Sequence, residues 1–196
     1  TLDTTNPITF ATALIASTVD LAWGDFDGDG YLDIAEGSRY GQNVIYLNNG
    51  DGTLDTTNPI TFGVAVGYTR HLAWGDFNND GALDIAEGNT GADDYGDGAQ
   101  DAVYLNKGNG TLDTANPITF GSGSDATRSL AWGDFDADGD LDLAAAIYGQ
   151  ENAIYPNSGD GSFGAAVECG VNTDLTLSVA WGDFDNDGDL DLAAAN

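Results

Sequence analysis

Short apolar segments alternate with Gly- and Asp-rich segments along the whole chain. Apolar residues nowhere keep a helical period over a helix-length window, and the 28 glycines interrupt every candidate helix at strand-length intervals. In the first copy of this pattern the apolar positions favour strands around 18–26, 31–37, 43–48 and 60–66. The pattern therefore predicts an all-β chain of short antiparallel strands joined by hairpins.

A five-residue motif marks an internal repeat. Ala-Trp-Gly-Asp-Phe occurs four times, beginning at Ala22, Ala73, Ala131 and Ala180. Each copy runs through an Asp-rich segment into Leu-Asp-Ile-Ala or Leu-Asp-Leu-Ala, and the fuller copies continue into a further apolar segment such as Val44–Leu47. The repeat is about fifty residues long, and four short strands in such a length predict a blade of β-propeller type.

The repeats form one domain over residues 1–196. Its units, numbered 1 to 4, are approximately 18–66, 69–124, 127–170, and 176–196 together with 1–12. The last unit includes residues 1–12 because Leu54–Phe62 recurs nearly unchanged at 112–120 and at 2–10. The chain thus begins inside a unit, and it holds fifteen predicted strands where four complete blades need sixteen.

The missing strand corresponds to the region of Tyr148–Gly161, which has no counterpart in unit 4. Two explanations stay open. The sequence is a window on a longer repeat array, or a neighbouring molecule completes an exposed sheet edge by strand exchange. The second explanation predicts self-association into an assembly or a fibre.

The net charge of the chain limits the classes of molecule that it can bind. The chain has 4 Lys and Arg against 33 Asp and Glu, a formal charge of −29, which excludes nucleic acid and anionic membrane surfaces. A content of 41% hydrophobic and 10% aromatic residues exceeds that of a disordered acidic tail. No apolar run reaches membrane-spanning length, and no signal segment precedes Thr1, so we expect a soluble, processed chain without membrane insertion.

Cys169 is the one thiol of the chain, which excludes an intrachain disulfide and a cysteine-based zinc site.

Nine-residue acidic loops follow each Trp-Gly pair, and we number them acidic loops 1 to 4: residues 25–33, 76–84, 134–142 and 183–191. Each has Asp or Asn at positions 1, 3 and 5, Gly at position 6 and Asp at position 9. Side-chain oxygens and the carbonyl of position 7 would give an oxygen-only ligand set, which selects a hard cation. The crowding of carboxylates favours Ca²⁺ over Mg²⁺, which keeps its waters.

We therefore expect about four Ca²⁺ ions, one in each acidic loop. The predicted ligands, with the carbonyl at position 7, are Asp25, Asp27, Asp29, Tyr31 and Asp33; Asp76, Asn78, Asp80, Ala82 and Asp84; Asp134, Asp136, Asp138, Asp140 and Asp142; and Asp183, Asp185, Asp187, Asp189 and Asp191. Without counter-ions the fifteen side-chain carboxylates in this set would repel one another.

Two alternatives compete for these loops. Asp-Gly runs also form plain hairpin turns, which is how we interpret Asn48–Thr53 and its equivalents. EF-hands are the second alternative, because Glu36 and Glu87 fall at position 12 of loops 1 and 2. Alanine stands there in loops 3 and 4, and the flanking segments have strand character, so we favour loops between strands.

Other candidates are weaker. Asp93, Asp97 and Asp101 imitate part of the loop pattern and offer a fifth cation site, against a solvated acidic loop. Asn109 begins a glycosylation sequon in an expected exposed turn. The four Trp side chains are expected to pack between blades, with stacking on sugars as the alternative.

Catalytic groups are sparse. Glu36 and Glu87 could act as an acid and base pair, but repeat duplication explains their equivalent positions. His71 is the one histidine, and its counterparts are Asp20, Ser129 and Ser178, so we interpret it as a surface residue.

The chain resembles the FG-GAP or VCBS repeat family, whose best-known relatives are the calcium-binding blades of integrin α-subunit propellers. The resemblance rests on the Asp-Phe-Asp-x-Asp-Gly-x-x-Asp-Leu/Ile-Ala pattern of the loops and on Phe62-Gly63, Phe120-Gly121 and Phe163-Gly164. It implies that each loop joins the innermost and second strands of a blade, where the ion has a structural role. The chain departs from the family pattern in two ways. It has no Gly-Ala-Pro tripeptide, and it has four repeats, whereas a typical family propeller has seven blades.

Together these features predict an extracellular, calcium-binding, all-β repeat protein with a structural or adhesive scaffolding role and no catalysis. A carbohydrate- or protein-binding propeller of lectin type is the alternative, and a propeller enzyme acting on polysaccharide is a third possibility. Expected partners are neighbouring copies of the chain and a protein or glycan ligand, with no nucleic acid.

Overall fold

A computed structural model of the chain describes residues 17–64, 68–91, 100–171 and 175–196. The strands in these ranges are β1 (Thr18–Gly24), β2 (Asp33–Ser38), β3 (Asn43–Tyr46), β4 (Ile60–Phe62), β5 (Thr69–Gly75), β6 (Asp84–Asn89), β7 (Asp101–Tyr104), β8 (Ile118–Phe120), β9 (Thr127–Gly133), β10 (Asp142–Ile147), β11 (Asn152–Tyr155), β12 (Val167–Cys169), β13 (Ser178–Gly182) and β14 (Asp191–Ala195). The all-β prediction is confirmed. Across the described ranges, no helix is long and apolar enough to cross a membrane. The strand predicted within residues 1–12 lies outside them.

Each repeat unit forms one antiparallel sheet. Strands β1 to β4, β5 to β8, and β9 to β12 pair in chain order, and β13 pairs with β14. The predicted blades of four strands are confirmed for the first three units. Several predicted strand bounds shift, and β1 and β3 end two residues earlier than predicted. Strand β2 begins only at Asp33 because the residues before it belong to the loop, and β4 ends at Phe62, where the next residue, Gly63, has a φ of 78°.

Neighbouring sheets stack through their first strands. Strand β1 packs against β5, β5 against β9, and β9 against β13. A hydrophobic cluster lies at each junction, and each cluster draws residues from two adjacent units, such as Phe62 and Leu72 at the first and Phe120 and Leu143 at the second. Since a four-residue strand cannot bury an apolar face alone, each unit depends on its neighbour for a core. The arrangement is propeller-like, and the described sheets do not close into a ring.

Tryptophan docking on glycine fixes each junction. The Trp74 indole covers Gly24 so closely that a Cβ there would lie 2.9 Å from the ring. Its Nε1 donates to the Ala22 carbonyl at 3.2 Å, and its ring centroid is 5.9 Å from that of Phe26. The expectation that Trp packs between blades is confirmed at this junction, because the indole contacts the preceding unit through its ring and its N–H.

The same contact recurs at the other two junctions. Trp132 covers Gly75 and donates to Ala73 at 3.2 Å, and Trp181 covers Gly133 and donates to Ala131 at 3.0 Å. Trp23 of unit 1 has no described unit before it and is 55% exposed. Each unit therefore presents a Trp on one side and a Gly on the other.

His71 is not the surface residue that the sequence suggested. It is half-buried, and its Nδ1 accepts a hydrogen bond from the Leu130 amide of the next unit at 3.3 Å. Its counterpart Asp20 accepts from the Leu72 amide at 2.7 Å, so the two dissimilar side chains share one role. Burial lowers the pKa of His71, with Asp20 acting in the opposite direction. In units 1 and 2 this position therefore supplies a hydrogen-bond acceptor to the backbone of the next unit.

Candidate metal centre

The acidic loops connect the first and second strands of every unit at one end of the sheets. Their backbone turns twice through the left-handed region. At position 6 the glycines have φ values of 90°, 87°, 96° and 99°, for Gly30, Gly81, Gly139 and Gly188. At position 4 the residues are Gly28, Asn79, Ala137 and Asn186, with φ values of 73°, 55°, 60° and 61°. One loop geometry is thus repeated four times, with glycine where the turn requires it.

The position 1 aspartate faces into its own loop. One carboxylate oxygen, Oδ2, accepts a hydrogen bond from the position 6 amide, in the pairs Asp25 with Gly30 (3.0 Å), Asp76 with Gly81 (2.9 Å), Asp134 with Gly139 (3.1 Å) and Asp183 with Gly188 (3.2 Å). In loops 2 to 4 the other oxygen accepts from the position 5 amide. In loop 1 that oxygen, Asp25 Oδ1, is buried without a hydrogen-bond donor among the described residues.

Position 5 shapes the second half of the loop. Its carboxylate accepts from the position 7 amide, in the pairs Asp29 with Tyr31 (2.8 Å), Asp80 with Ala82 (2.9 Å), Asp138 with Asp140 (2.9 Å) and Asp187 with Asp189 (3.0 Å). These side-chain turns leave the second oxygen of each carboxylate for another partner.

The position 9 aspartate joins the loop to the rest of its sheet. Its Oδ2 accepts from the position 2 amide, for example Phe26 to Asp33 at 2.8 Å and Phe77 to Asp84 at 2.9 Å. In units 1 to 3 its Oδ1 also accepts from an amide just after the third strand, at 2.7 Å in each case. The sequence predicted these aspartates only as ligands. The structure adds a second role, because they hold the acidic loop to the turn between the third and fourth strands of the same unit.

Burial changes the ionisation of these position 9 groups. Asp33 is 1% exposed, and Asp84 and Asp142 are fully buried. Desolvation raises the pKa of all three, opposed by the two backbone hydrogen bonds, and the pKa of Asp84 reaches about 6. Carboxylates at positions 3 and 5, or 1 and 5, add to the rise by repulsion. A bound cation would reverse both effects by favouring the charged forms.

Three loops each bring three carboxylates together. Within each group one oxygen from every residue lies within 4.8 Å of the others, in the sets Asp25, Asp27 and Asp29; Asp134, Asp136 and Asp142; and Asp183, Asp185 and Asp191. Among the described residues loop 2 gives no such group, and its Asn78 amide nitrogen donates to Asp80 at 3.0 Å. The full sets of five ligands, including the carbonyls of position 7, stay a prediction.

The residues present fit a hard cation. All the clustered donors are oxygens, three carboxylates converge in three of the loops, and the buried Asp25 Oδ1 lacks a donor. A divalent ion with flexible oxygen coordination would satisfy that atom and offset the repulsion within each cluster.

The remaining candidates take structural positions. Glu36 and Glu87 lie in β2 and β6 and are buried, and the segments flanking the loops are strands, unlike those of an EF-hand. Asp101 is buried at the start of β7, where it accepts from the Asn89 amide at 2.7 Å and the Thr127 hydroxyl at 2.6 Å. The other two members of the fifth candidate site, residues 93 and 97, lie outside the described residues.

The fold and the loops define a propeller-like protein of repeated acidic-loop blades. A family model for the FG-GAP-like repeat matches residues 25–86, 91–145 and 138–194. These matches cover most of the chain, and the protein belongs to the FG-GAP repeat family, as the sequence resemblance predicted.

Among solved structures, the chain is similar to a lectin from Agrocybe aegerita that specifically recognises non-reducing terminal N-acetylglucosamine. The two share 19% identity with a TM-score of 0.57, which shows a likeness of fold. The alignment covers 91% of this chain and 48% of the lectin chain, so this chain spans about half the length of the lectin. No curated protein sequence matches the chain.

Proposed function

We propose that the protein is a calcium-stabilised, extracellular binding module with a structural or adhesive role. The observation that carries this proposal is the convergence of three carboxylates within 4.8 Å in three equivalent loops. Membership of the FG-GAP family and the likeness to a lectin support a propeller-like binding module. They also favour binding over catalysis.

In this proposal each ion stabilises the hairpin between the first two strands of its unit. Positions 1, 3, 5 and 9 would hold the ion. The position 9 carboxylate would also fix the turn after the third strand, because it accepts a hydrogen bond from a backbone amide of that turn. Ca²⁺ at millimolar concentrations outside cells would keep even weak sites of this kind filled. An extracellular location follows from the same reasoning.

Ion counting tests the metal proposal. Native mass spectrometry in calcium should show about four ions per chain, and Asp27→Ala and Asp136→Ala should each remove one. Asp51→Ala is the matched control, because it removes an exposed carboxylate that lies outside the acidic loops and bonds to Thr53. Equal ion counts in all variants, or loss of every ion from either loop change, would contradict independent sites.

Chelation gives the second readout. Removing the ions leaves the carboxylate clusters unscreened, so we expect the melting temperature to fall by many degrees and to recover when calcium is restored. A melt that chelator leaves unchanged would refute a structural role for calcium.

Glycan binding is a second candidate. Its support is the likeness to the lectin and a cavity of about 470 Å³ between units 2 and 3, where Tyr155, Phe163 and Glu168 are among the lining residues. Aromatic and polar groups together suit a sugar. Titration with N-acetylglucosamine, followed by NMR shifts and compared with a Phe163→Ala variant, tests this use; the absence of shifts in the native chain would exclude that sugar.

A further inference from the structure

The outer face of unit 4 carries an open apolar groove. Its volume is about 500 Å³, and its lining includes Trp181, Gly182, Phe184 and Leu192. Phe184 is 89% exposed, although its counterparts Phe26 and Phe77 in units 1 and 2 are at most 2% exposed. A large aromatic side chain at an otherwise buried position marks a surface that a partner covers.

The groove repeats the surface that receives a tryptophan at every internal junction. A Cβ added at Gly24, Gly75 or Gly133 would lie 2.9, 2.8 or 2.7 Å from the indole that covers it. At Gly182, the fourth member of the series, a Cβ would meet nothing within 4 Å. The receptor surface is therefore present in unit 4, and among the described residues its tryptophan is not.

The matching surface is exposed on unit 1. Trp23 is 55% exposed and the adjacent Leu21 49% exposed, whereas the equivalent Trp74 is docked on its neighbour. Asn48 adds a polar element to this face. Its equivalent Asn106 donates its side-chain amide to the Phe26 carbonyl of the preceding unit at 2.7 Å. The two ends of the described array are thus complementary.

Asn157 shows that this polar contact is a regular part of the junction. Its amide donates to the Phe77 carbonyl at 2.7 Å, as Asn106 does one unit earlier. By the same relation Asn48 would reach the carbonyl of Phe184. The first two junctions therefore combine an indole on a glycine, an indole N–H on an alanine carbonyl, and an asparagine amide on a phenylalanine carbonyl, and the third has the two indole contacts.

We propose that the groove of unit 4 binds unit 1 of a second copy of this chain, head to tail. In that contact Trp23 covers Gly182 beside Phe184, and its Nε1 donates to the Ala180 carbonyl. The occupant is chosen because this face of unit 1 is the free equivalent of the three faces that already fill such grooves. A head-to-tail contact is heterologous, so it produces a closed ring or an open chain of copies.

Charge sets the conditions for this contact. Every copy carries a formal charge of −29, so two copies repel each other at low ionic strength. Salt shortens the range of that repulsion to about 3 Å at 1 M, while apolar contacts gain from salt exclusion or keep their strength. Self-association should therefore increase with sodium chloride. Because Asp183 and Asp191 of acidic loop 4 also line the groove, the association is measured at one fixed calcium concentration.

Sedimentation velocity over a concentration series up to about 0.5 mM, in high salt, tests the contact. The native chain should associate. Trp23→Ala and Gly182→Val should each weaken association about tenfold or more, because the first removes the aromatic anchor and the second fills its receptor. Both changes lie at exposed or open positions, so thermal melts should match the native chain. Val64→Ala, at a 62% exposed site on neither face, is the matched control.

Mixing the two variants gives the decisive result. Trp23→Ala keeps an intact groove and Gly182→Val keeps an intact tryptophan, so an equimolar mixture should form a one-to-one heterodimer that grows no further. A monomeric native chain at every concentration would overturn the proposal. Association that neither variant weakens, or a mixture that stays monomeric while the native chain associates, would also overturn it.

Discussion

Glu87 is a buried carboxyl at the junction of units 1 and 2, and it gives a sharp prediction about pH. Its oxygens accept hydrogen bonds from the Asn43 amide at 2.6 Å and the Tyr104 hydroxyl at 3.0 Å. Burial nevertheless raises its pKa from 4.5 to about 7, and these hydrogen bonds oppose that rise only in part. Asp101 is the nearby acidic group, and its repulsion with Glu87 contributes to a raised pKa for Asp101.

The direction of the effect follows from the raised pKa. The folded chain holds this proton more tightly than the unfolded chain, so protonation of Glu87 favours folding. Its contribution to the free energy of unfolding is complete below pH 4.5, the ordinary value, and is lost as the pH rises through about 7. The difference of about 2.5 pKa units corresponds to a contribution on the order of 3 kcal/mol.

Glu87→Gln removes this titration while keeping the shape of the side chain. Its carbonyl can accept from Asn43 and its amide can donate to the Tyr104 oxygen. Urea unfolding at pH 5 and pH 8 in one calcium-containing buffer would give four free energies. We expect the free energy of unfolding to fall from pH 5 to pH 8 by on the order of 3 kcal/mol more in the native chain than in the variant. Comparing these differences cancels titrations that both proteins share.

The result that refutes this reasoning is the same loss in both proteins, which would mean that Glu87 does not titrate in this range. Tyr104→Phe provides a check in the opposite direction. This substitution removes a hydrogen bond that lowers the pKa of Glu87. The variant should therefore lose more unfolding free energy than the native chain between pH 5 and pH 8.

Four further substitutions test the junctions and loops. Gly133→Ala should lower the free energy of unfolding by about 2 kcal/mol, because its Cβ would lie 2.7 Å from Trp181, whereas Gly182→Ala should leave urea unfolding unchanged at low protein concentration. Asn106→Ala should lower the free energy of unfolding by about 1–3 kcal/mol, since the buried Phe26 carbonyl of unit 1 and the partly buried Leu83 carbonyl of unit 2 lose their donor; a smaller loss in the same assay would argue for a replacement partner. Ala137→Gly should stabilise the chain by about 1 kcal/mol, because Ala137 has a φ of 60°, and an unchanged melting curve would contradict strain at that position.

The repeat made most of the fold predictable. Trp, Gly and Asp at fixed spacing identify the first strand, the acidic loop and the second strand of each unit, because glycine and aspartate are needed where the turn is tight. Register follows directly: Gly24 pairs with Asp33 and Gly75 with Asp84, so each loop closes on one residue pair. The loops were predictable for the same reason.

Contacts across long sequence separations were not predictable. Asn106 and Phe26 are distant in the chain, and only the stacking of units brings the amide to that carbonyl. The bond from the Asn48 amide to Asp33 also requires knowing that the third strand lies beside the second. His71 was misjudged because its counterparts differ in residue type, whereas the property that His71 shares with Asp20 is a hydrogen bond accepted from an amide of the next unit.

The two ends of each sheet differ in how much variation they accept. The acidic loops all have the same length, because both oxygens of the position 9 aspartate fix the loop to neighbouring backbone. At the opposite end, the connections from the second to the third strand are residues 39–42, 90–100 and 148–151, so the middle one is much longer. That end is where new peptide segments could be grafted without disturbing the loops, and repeats of this kind can diversify there while their acidic loops stay constant.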